Sequence, residues 1–392
     1  MANDTQFEPS FLKPIRFTYD LNLDIYSIPS KVDSFNFLER YRRDAFENDN
    51  SVLIKPALLR LPWPSTFQDA RQCKYWREAK HALEIFLDEI YSLAPEVDGL
   101  LPNLHCSPES LASRCDKGQA AIDTAVSAAV YMNPEASPSR ISLITKFYLL
   151  AWLHDDVVEH NPEYAGSTMI DKICAPWWQI ITNAQGITTD SNTVLPGIAQ
   201  ELIIEDENLG RQIMKGLLSY TESMRSPPRE TFSGFKDFIE YRAIDIASDF
   251  TFACVRFGTR TNLTSTEQAP LQALVTLCRD HIILVNDLFS FDKEKKDMES
   301  RGSTFINTVN YLRFTLSLET RTAKIFAQCL IAELELQIHQ ELERLQSDQT
   351  LSDRQIRYSL GVIESAAGNM LFSVTSKRYG GDNAIDYQPL AK

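Results

Sequence analysis

Two groups of oxygen-bearing side chains carry the chemical interest of this sequence. The first is His154-Asp155-Asp156-Val157-Val158-Glu159, at the end of a long apolar stretch. On a helix, residues four apart share a face, so Asp155 and Glu159 point the same way. Carboxylates gathered at the negative end of a helix dipole are unfavourable unless a cation offsets them. Hard carboxylate oxygens suit Mg²⁺, usually together with substrate phosphate. A solvated helix end produces the same DDxxE pattern, so this motif alone leaves both readings open. The second group is Asn286-Asp287-Leu288-Phe289-Ser290-Phe291-Asp292-Lys293-Glu294. Asn286, Ser290 and Glu294 stand at i, i+4 and i+8 and form one slowly turning stripe. An amide oxygen, a hydroxyl and a carboxylate can together chelate Mg²⁺. A solvated face would not require an Asn and a Ser at those positions.

Cations complete the set. Arg242 stands among apolar neighbours in Tyr241-Arg242-Ala243-Ile244-Asp245, with Asp245 at i+3 as its local partner. A structural ion pair and an anion-binding arginine both fit that pattern. Arg378-Tyr379 closes the last helical stretch just before Gly380-Gly381, where the dipole favours a basic residue in any case.

The remaining sequence limits what these groups can do. Across 392 residues, 39 Lys and Arg against 53 Asp and Glu leave a net charge of −14. Such a chain repels polyanions, so nucleic-acid or anionic-membrane binding is not expected as its main task. An anionic ligand would need metals or a local nest of basic groups. The N-terminus lacks a basic region followed by an apolar one, and the longest strongly apolar run is Phe147–Leu153, far short of a bilayer span. Seven scattered cysteines without a CxxC pair argue for reduced thiols in a cytoplasmic compartment. His154-Asp155 also suggests a metal phosphohydrolase, but imidazole-bound metal would leave the stripe at 286–294 unexplained.

The elements that must position these residues are helical. Glycine is scarce, at 14 residues, and long windows repeat with helical periodicity, so the chain reads as nearly all α. Helices are expected from Gln68 to about Leu93, Ser107 to Met132, Ser139 to about 160, Leu209 to Arg225, Gly234 to Phe257, Leu271 to Lys296, Phe305 to Gln346 and Ser352 to Lys377. Residues 161–200 read as loops around a short helix bearing Trp177 and Trp178. Pro14, Pro29, Pro56, Pro62 and Pro64 break up the start of the chain. The expected division is an irregular segment over 1–65 packed on the core, one large helical domain over 66–380, and a tail over 381–392.

Taken in order, the motifs resemble those of class I terpene synthases, most closely the fungal cyclases and the cyclase halves of fungal bifunctional di- and sesterterpene synthases. Asp155-Asp156-Val157-Val158-Glu159 is similar to the aspartate-rich motif of that family, with Glu159 in place of Asp. Asn286-Asp287-x-x-Ser290-x-x-Lys293-Glu294 is similar to its Asn/Ser/Glu metal triad. Arg242, Asp245 and Arg378-Tyr379 fall at the spacings of its diphosphate-sensing arginine, linker and closing Arg-Tyr pair. Ile246 occupies the effector position. The resemblance covers about residues 65–380 and implies an all-α bundle that ionises a linear prenyl diphosphate and cyclises the carbocation. It implies three Mg²⁺ held with diphosphate by Asp155, Asn286, Ser290 and Glu294, with Asp156 and Glu159 as lesser ligands. Arg242, Lys293, Arg378 and Tyr379 would donate to the diphosphate, and Asp245 would orient Arg242. Phe147, Trp152, Trp177, Phe250, Phe289 and Phe372 become candidates to face a cation, although ordinary core packing is the leading reading for each of them. No second aspartate-rich motif is present, so the chain is not expected to make its own polyprenyl diphosphate. The expected substrate is C20 geranylgeranyl diphosphate, with C25 and C15 diphosphates behind it. A homodimer is one option for the assembly. A degenerate cyclase kept as a helical scaffold is the non-enzymatic alternative.

Overall fold

The computed structural model describes residues 11–23, 50–92, 116–160, 194–224, 226, 228–302 and 305–388. Its helices are α1 (Trp76–Ser92), α2 (Asp116–Met132), α3 (Pro138–His160), α4 (Val194–Glu205), α5 (Glu207–Ser223), α6 (Phe235–Asp245), α7 (Ser248–Thr259), α8 (Ser265–Gln268), α9 (Gln272–Arg301), α10 (Thr308–Thr315), α11 (Thr320–Ser347), α12 (Asp353–Thr375) and α13 (Lys377–Gly380). Two small antiparallel pairs accompany them: β1 (Phe17–Thr18) with β4 (Ile385–Asp386), and β2 (Ser51–Ile54) with β3 (Ala70–Cys73). The expected all-α bundle is what forms.

At the centre lie α9 and α12. The first packs against α11, α12 and α13, and the second against α2, α7 and α9. Helix α12 is buried along almost its whole length, from Tyr358 to Val374, which explains its lack of a polar face. Two glycines let it approach its neighbours. A Cβ at Gly368 would lie 2.0 Å from the Tyr131 carbonyl oxygen of α2, and one at Gly361 would lie 2.7 Å from Thr259 Cγ2 of α7. The start of the chain is stitched into this core, with Tyr19, Ile54 and Leu61 all buried. Glu335 of α11 sits in the interior and accepts hydrogen bonds from the Ser65 hydroxyl, the Thr66 N–H and the Thr66 hydroxyl, each at 2.6 Å.

Several expected boundaries move. The helix expected from Gln68 starts only at Trp76, because Ala70–Cys73 pairs as β3 with β2. The single helix expected over Gly234 to Phe257 is two, interrupted at Ile246 and Ala247, where Ala247 adopts φ 56°. The stretch from Phe305 to Gln346 likewise holds α10 and α11, with Ser317 at φ 52° between them. Helix α4 begins at Val194, inside the expected loop region, whereas α9 runs on to Arg301 through the polar stretch expected to follow it. The short helix expected around Trp177 and Trp178, and residues 107–115, lie outside the described residues. Cys73, Cys254 and Cys278 are buried free thiols and Cys329 is an exposed one. Burial pushes the Cys73 thiol up to about 12. Among the described residues no helix is long and apolar enough to cross a membrane.

Candidate active site

Helix α9 carries the Asn/Ser/Glu stripe out of the core. Its first half is buried along His281–Val285, and Asp287 and Ser290 remain buried, while Asn286 and Glu294 are partly open. The stripe is therefore the part of a core helix that reaches an opening, as its i, i+4, i+8 spacing requires.

Asn286 donates from Nδ2 to the Tyr379 hydroxyl at 2.6 Å. That contact joins the metal-type stripe to the closing Arg-Tyr pair. Tyr379 packs edge-on against Phe372, whose ring stacks on Trp152 at 5.9 Å. The Arg378 guanidinium lies 6.0 Å from the centroid of the same Trp152. Trp152 belongs to α3, one turn before Asp155. The backbone of Asp155, Asp156 and Glu159 continues α3, so the aspartate-rich motif extends the helix that Arg378 covers. The side chains of residues 154–160 lie outside the described residues.

Arg242 of α6 reaches the other flank of α9. It is 5% exposed and pairs with both Asp245 and Asp287. The expected partner Asp245 is there, but the fully buried Asp287 is the deeper one. Burial alone would lower the Arg242 guanidinium, and the Asp287 and Asp245 carboxylates outweigh it and hold it well above its ordinary value. Asp287 also accepts from the Thr308 N–H and hydroxyl, each at 2.6 Å. Asn307 donates from Nδ2 to the Asp287 carbonyl at 2.8 Å and to Glu294 Oε2 at 2.9 Å, while its Oδ1 caps α10 through Val309 N–H. The N-terminus of α10 thereby fixes both Asp287 and Glu294.

Burial raises the Glu294 carboxyl, the Arg242 charge opposes that rise, and the Asp287 charge adds to it. Ser290 favours the charged form of Glu294, yet its buried hydroxyl makes no hydrogen bond of good geometry. A buried hydroxyl in that condition is costly unless a ligand meets it. Together with the Asn286 and Glu294 oxygens it forms a hard-oxygen donor set that suits Mg²⁺. Lys293 pairs with Asp297 one turn on, at 3.3 Å. Among the described residues no group of three His, Cys, Asp or Glu side chains forms a metal cluster, and this stripe supplies only one carboxylate.

Asp287, Asn307 and Thr308 are the site residues that the sequence reading passed over. Asp287 carried a signal, since a carboxylate following the apolar run HIILV is seldom buried without a cation. Among the expected aromatics, Trp152, Phe250 and Phe372 stand together with Tyr148, which lies 5.4 Å from Phe250 and 5.9 Å from Trp152. Phe289 instead meets Tyr19, and Trp177 lies outside the described residues.

The family model described as terpene synthase family 2, C-terminal metal binding, matches residues 146–336, from within α3 to within α11. Terpene cyclase 6 of Gibberella fujikuroi is 27% identical over 88% of this chain and 89% of its own length. Terpene cyclase aneC of Aspergillus aculeatus is 27% identical over 95% of this chain and 83% of its own. The crystal structure of aristolochene synthase from Penicillium roqueforti superposes with a TM-score of 0.57 at 19% identity, covering 73% of this chain and 94% of that one. That likeness speaks for the fold.

Proposed function

Because the chain is similar in sequence and in fold to the class I terpene synthases, we propose that it is a Mg²⁺-dependent terpene cyclase acting on a linear prenyl diphosphate, with C20 geranylgeranyl diphosphate first in line. The observation that carries this reading is the meeting of separate motifs around the middle of α9. The stripe, the Arg-Tyr pair and the buried arginine come from distant parts of the sequence, yet Asn286 bonds Tyr379 and Arg242 bonds the residue next to Asn286.

In this reading Asn286, Ser290 and Glu294 hold Mg²⁺ on one side and Asp155 on the other, with Asp156 and Glu159 behind. When bound, Mg²⁺ supplies positive charge that stabilises the departing diphosphate. The chain's own donors add to this. Arg378, Tyr379 and Lys293 bind diphosphate oxygens, and Arg242 keeps N–H groups beyond those directed to Asp245 and Asp287. A guanidinium fixed on one side by two carboxylates can donate in one set direction. The cation left behind needs a dry surface, and the Trp152, Phe372, Phe250 and Tyr148 rings supply aromatic faces worth roughly 0.5–2 kcal/mol each to a cation.

Incubation with C15, C20 and C25 prenyl diphosphates, with and without Mg²⁺, followed by gas chromatography of the extract, tests the proposal. A cyclic hydrocarbon or alcohol from one of them, formed only with metal, is expected. No product from any of the three would favour the degenerate scaffold, and product from C15 or C25 alone would correct the chain length.

Arg242→Lys separates function from structure. Lysine keeps one charge but loses the fork that spans two carboxylates and a phosphate. Turnover is expected to fall by about a hundredfold, with the helical circular dichroism unchanged. An unstable variant that is fully active once folded would leave Arg242 with a structural role only.

A further inference from the structure

The arm that carries Arg378 and Tyr379 is held from outside by the start of the chain. Strand β1 pairs with β4 beyond the arm, Phe17 opposite Asp386 and Thr18 opposite Ile385. Tyr387 N–H donates to the Arg16 carbonyl at 2.8 Å, and the Lys377 ammonium sits 4.8 Å from the centroid of the Phe17 ring. Tyr19 is the residue on which these contacts converge. Its N–H donates to the Val374 carbonyl at 2.7 Å, just before the arm. Gly380 lies so near that a Cβ there would come within 3.2 Å of Tyr19 Cβ. On its other side the Tyr19 ring meets Phe289 edge-on at 5.9 Å, and its hydroxyl donates to Asp292 Oδ2 at 2.9 Å. Phe289 and Asp292 interleave with the stripe residues of α9. Asp292 is fixed in turn by the Lys324 ammonium of α11, at 2.8 and 2.9 Å.

We propose that Tyr19 is a positioning residue, whose hydroxyl locks the Arg378–Tyr379 arm in register with the Asn286, Ser290 and Glu294 stripe. The proposal rests on the reading above that these two groups act on one bound diphosphate, the arm directly and the stripe through Mg²⁺. Backbone pairing and ring packing alone would hold the arm against the core, and phenylalanine could supply both. Tyr19 is 3% exposed, and its hydroxyl is satisfied there by the Asp292 carboxylate. What that bond adds is a tie to the one helix against which the arm must be aligned. A small misplacement of donors around an anion is enough to lose much of their effect.

The test uses the full chain, Mg²⁺ and inorganic pyrophosphate, with affinity read by titration calorimetry. The variants are Tyr19→Phe, an arm variant with Arg378→Gln and Tyr379→Phe, and the combination of all three. Tyr19→Phe is expected to weaken pyrophosphate about tenfold, the scale of one lost charge-assisted hydrogen bond, with a melting temperature within a few degrees of the parent. In the arm variant, adding Tyr19→Phe is expected to change affinity by less than about twofold, because residues acting through one another are not additive. Unchanged affinity in Tyr19→Phe would overturn the proposal. Full additivity would also overturn it, by showing that the hydroxyl acts on the fold at large. Failure of the parent chain to bind pyrophosphate would remove the diphosphate reading itself, and this inference with it, before any variant is compared.

Discussion

Glu294→Ala is expected to reduce turnover by at least about a thousandfold, roughly 4 kcal/mol of transition-state stabilisation. Glu294 is the one carboxylate of the stripe and is kept in place by the Asn307 amide at 2.9 Å. Removing it leaves an amide and a hydroxyl, which hold Mg²⁺ poorly without a charge. Asn286→Ala is expected to be comparably severe for two reasons, since it removes both an oxygen ligand and the donor to Tyr379. Circular dichroism should show the helices intact in both variants, because each side chain reaches the opening of the bundle. Turnover within tenfold of the parent in either one would remove the stripe from the chemistry. Asp155→Ala should be at least as damaging, with Asp156→Ala and Glu159→Ala milder.

The second large effect falls on stability. Asp287→Ala leaves the Arg242 guanidinium buried without its deeper partner and takes the acceptor from the Thr308 N–H and hydroxyl. Breaking a buried pair by removing one member costs about 3–5 kcal/mol, against about 5–15 kcal/mol for a whole domain. Asp245→Ala should cost much less, because the Asp245 side chain is 30% exposed and water can replace it. Urea titration of the two variants checks this, with the midpoint shifting much further for Asp287→Ala. Equal midpoints would mean that Asp287 balances the buried charge no more than Asp245 does.

The candidate site residues are more legible in the sequence than the boundaries of the elements that hold them. Metal-type side chains announce themselves by chemistry and spacing, so Asn286, Ser290 and Glu294 stand out as a candidate stripe. Arg242 and Arg378-Tyr379 are ambiguous alone and become candidates only through the resemblance. Asp287 shows no role in the sequence because it stands one residue off the stripe, about 100° around the helix, where only the position of α6 reveals its partner. The α6–α7 interruption left no trace either. Neither Gly nor Pro stands at Ile246-Ala247, and a left-handed Ala is a tertiary decision whose local cost is about 1–3 kcal/mol. Helices α3, α5 and α12 were readable because caps or long periodic runs bound them. Asp206 caps α5 through Leu209 N–H, and Ser352 with Gln355 forms a capping box on α12. Strands β1 and β4, two residues each, are too short for alternation to show, and their pairing joins opposite ends of the chain.

The close approach at Gly368 bears on how such a protein could diversify. A side chain there would collide with the Tyr131 carbonyl oxygen, and backbone cannot swing aside as a flexible side chain can. Helix α12 is thus pinned in rotation and height where it meets α2. Phe372, one turn further along, inherits that fixed position. New product outlines would therefore arise by exchanging side chains such as Phe372 and Trp152 on an immobile frame. Random libraries should return functional clones rich in changes at those two positions and empty of changes at Gly368.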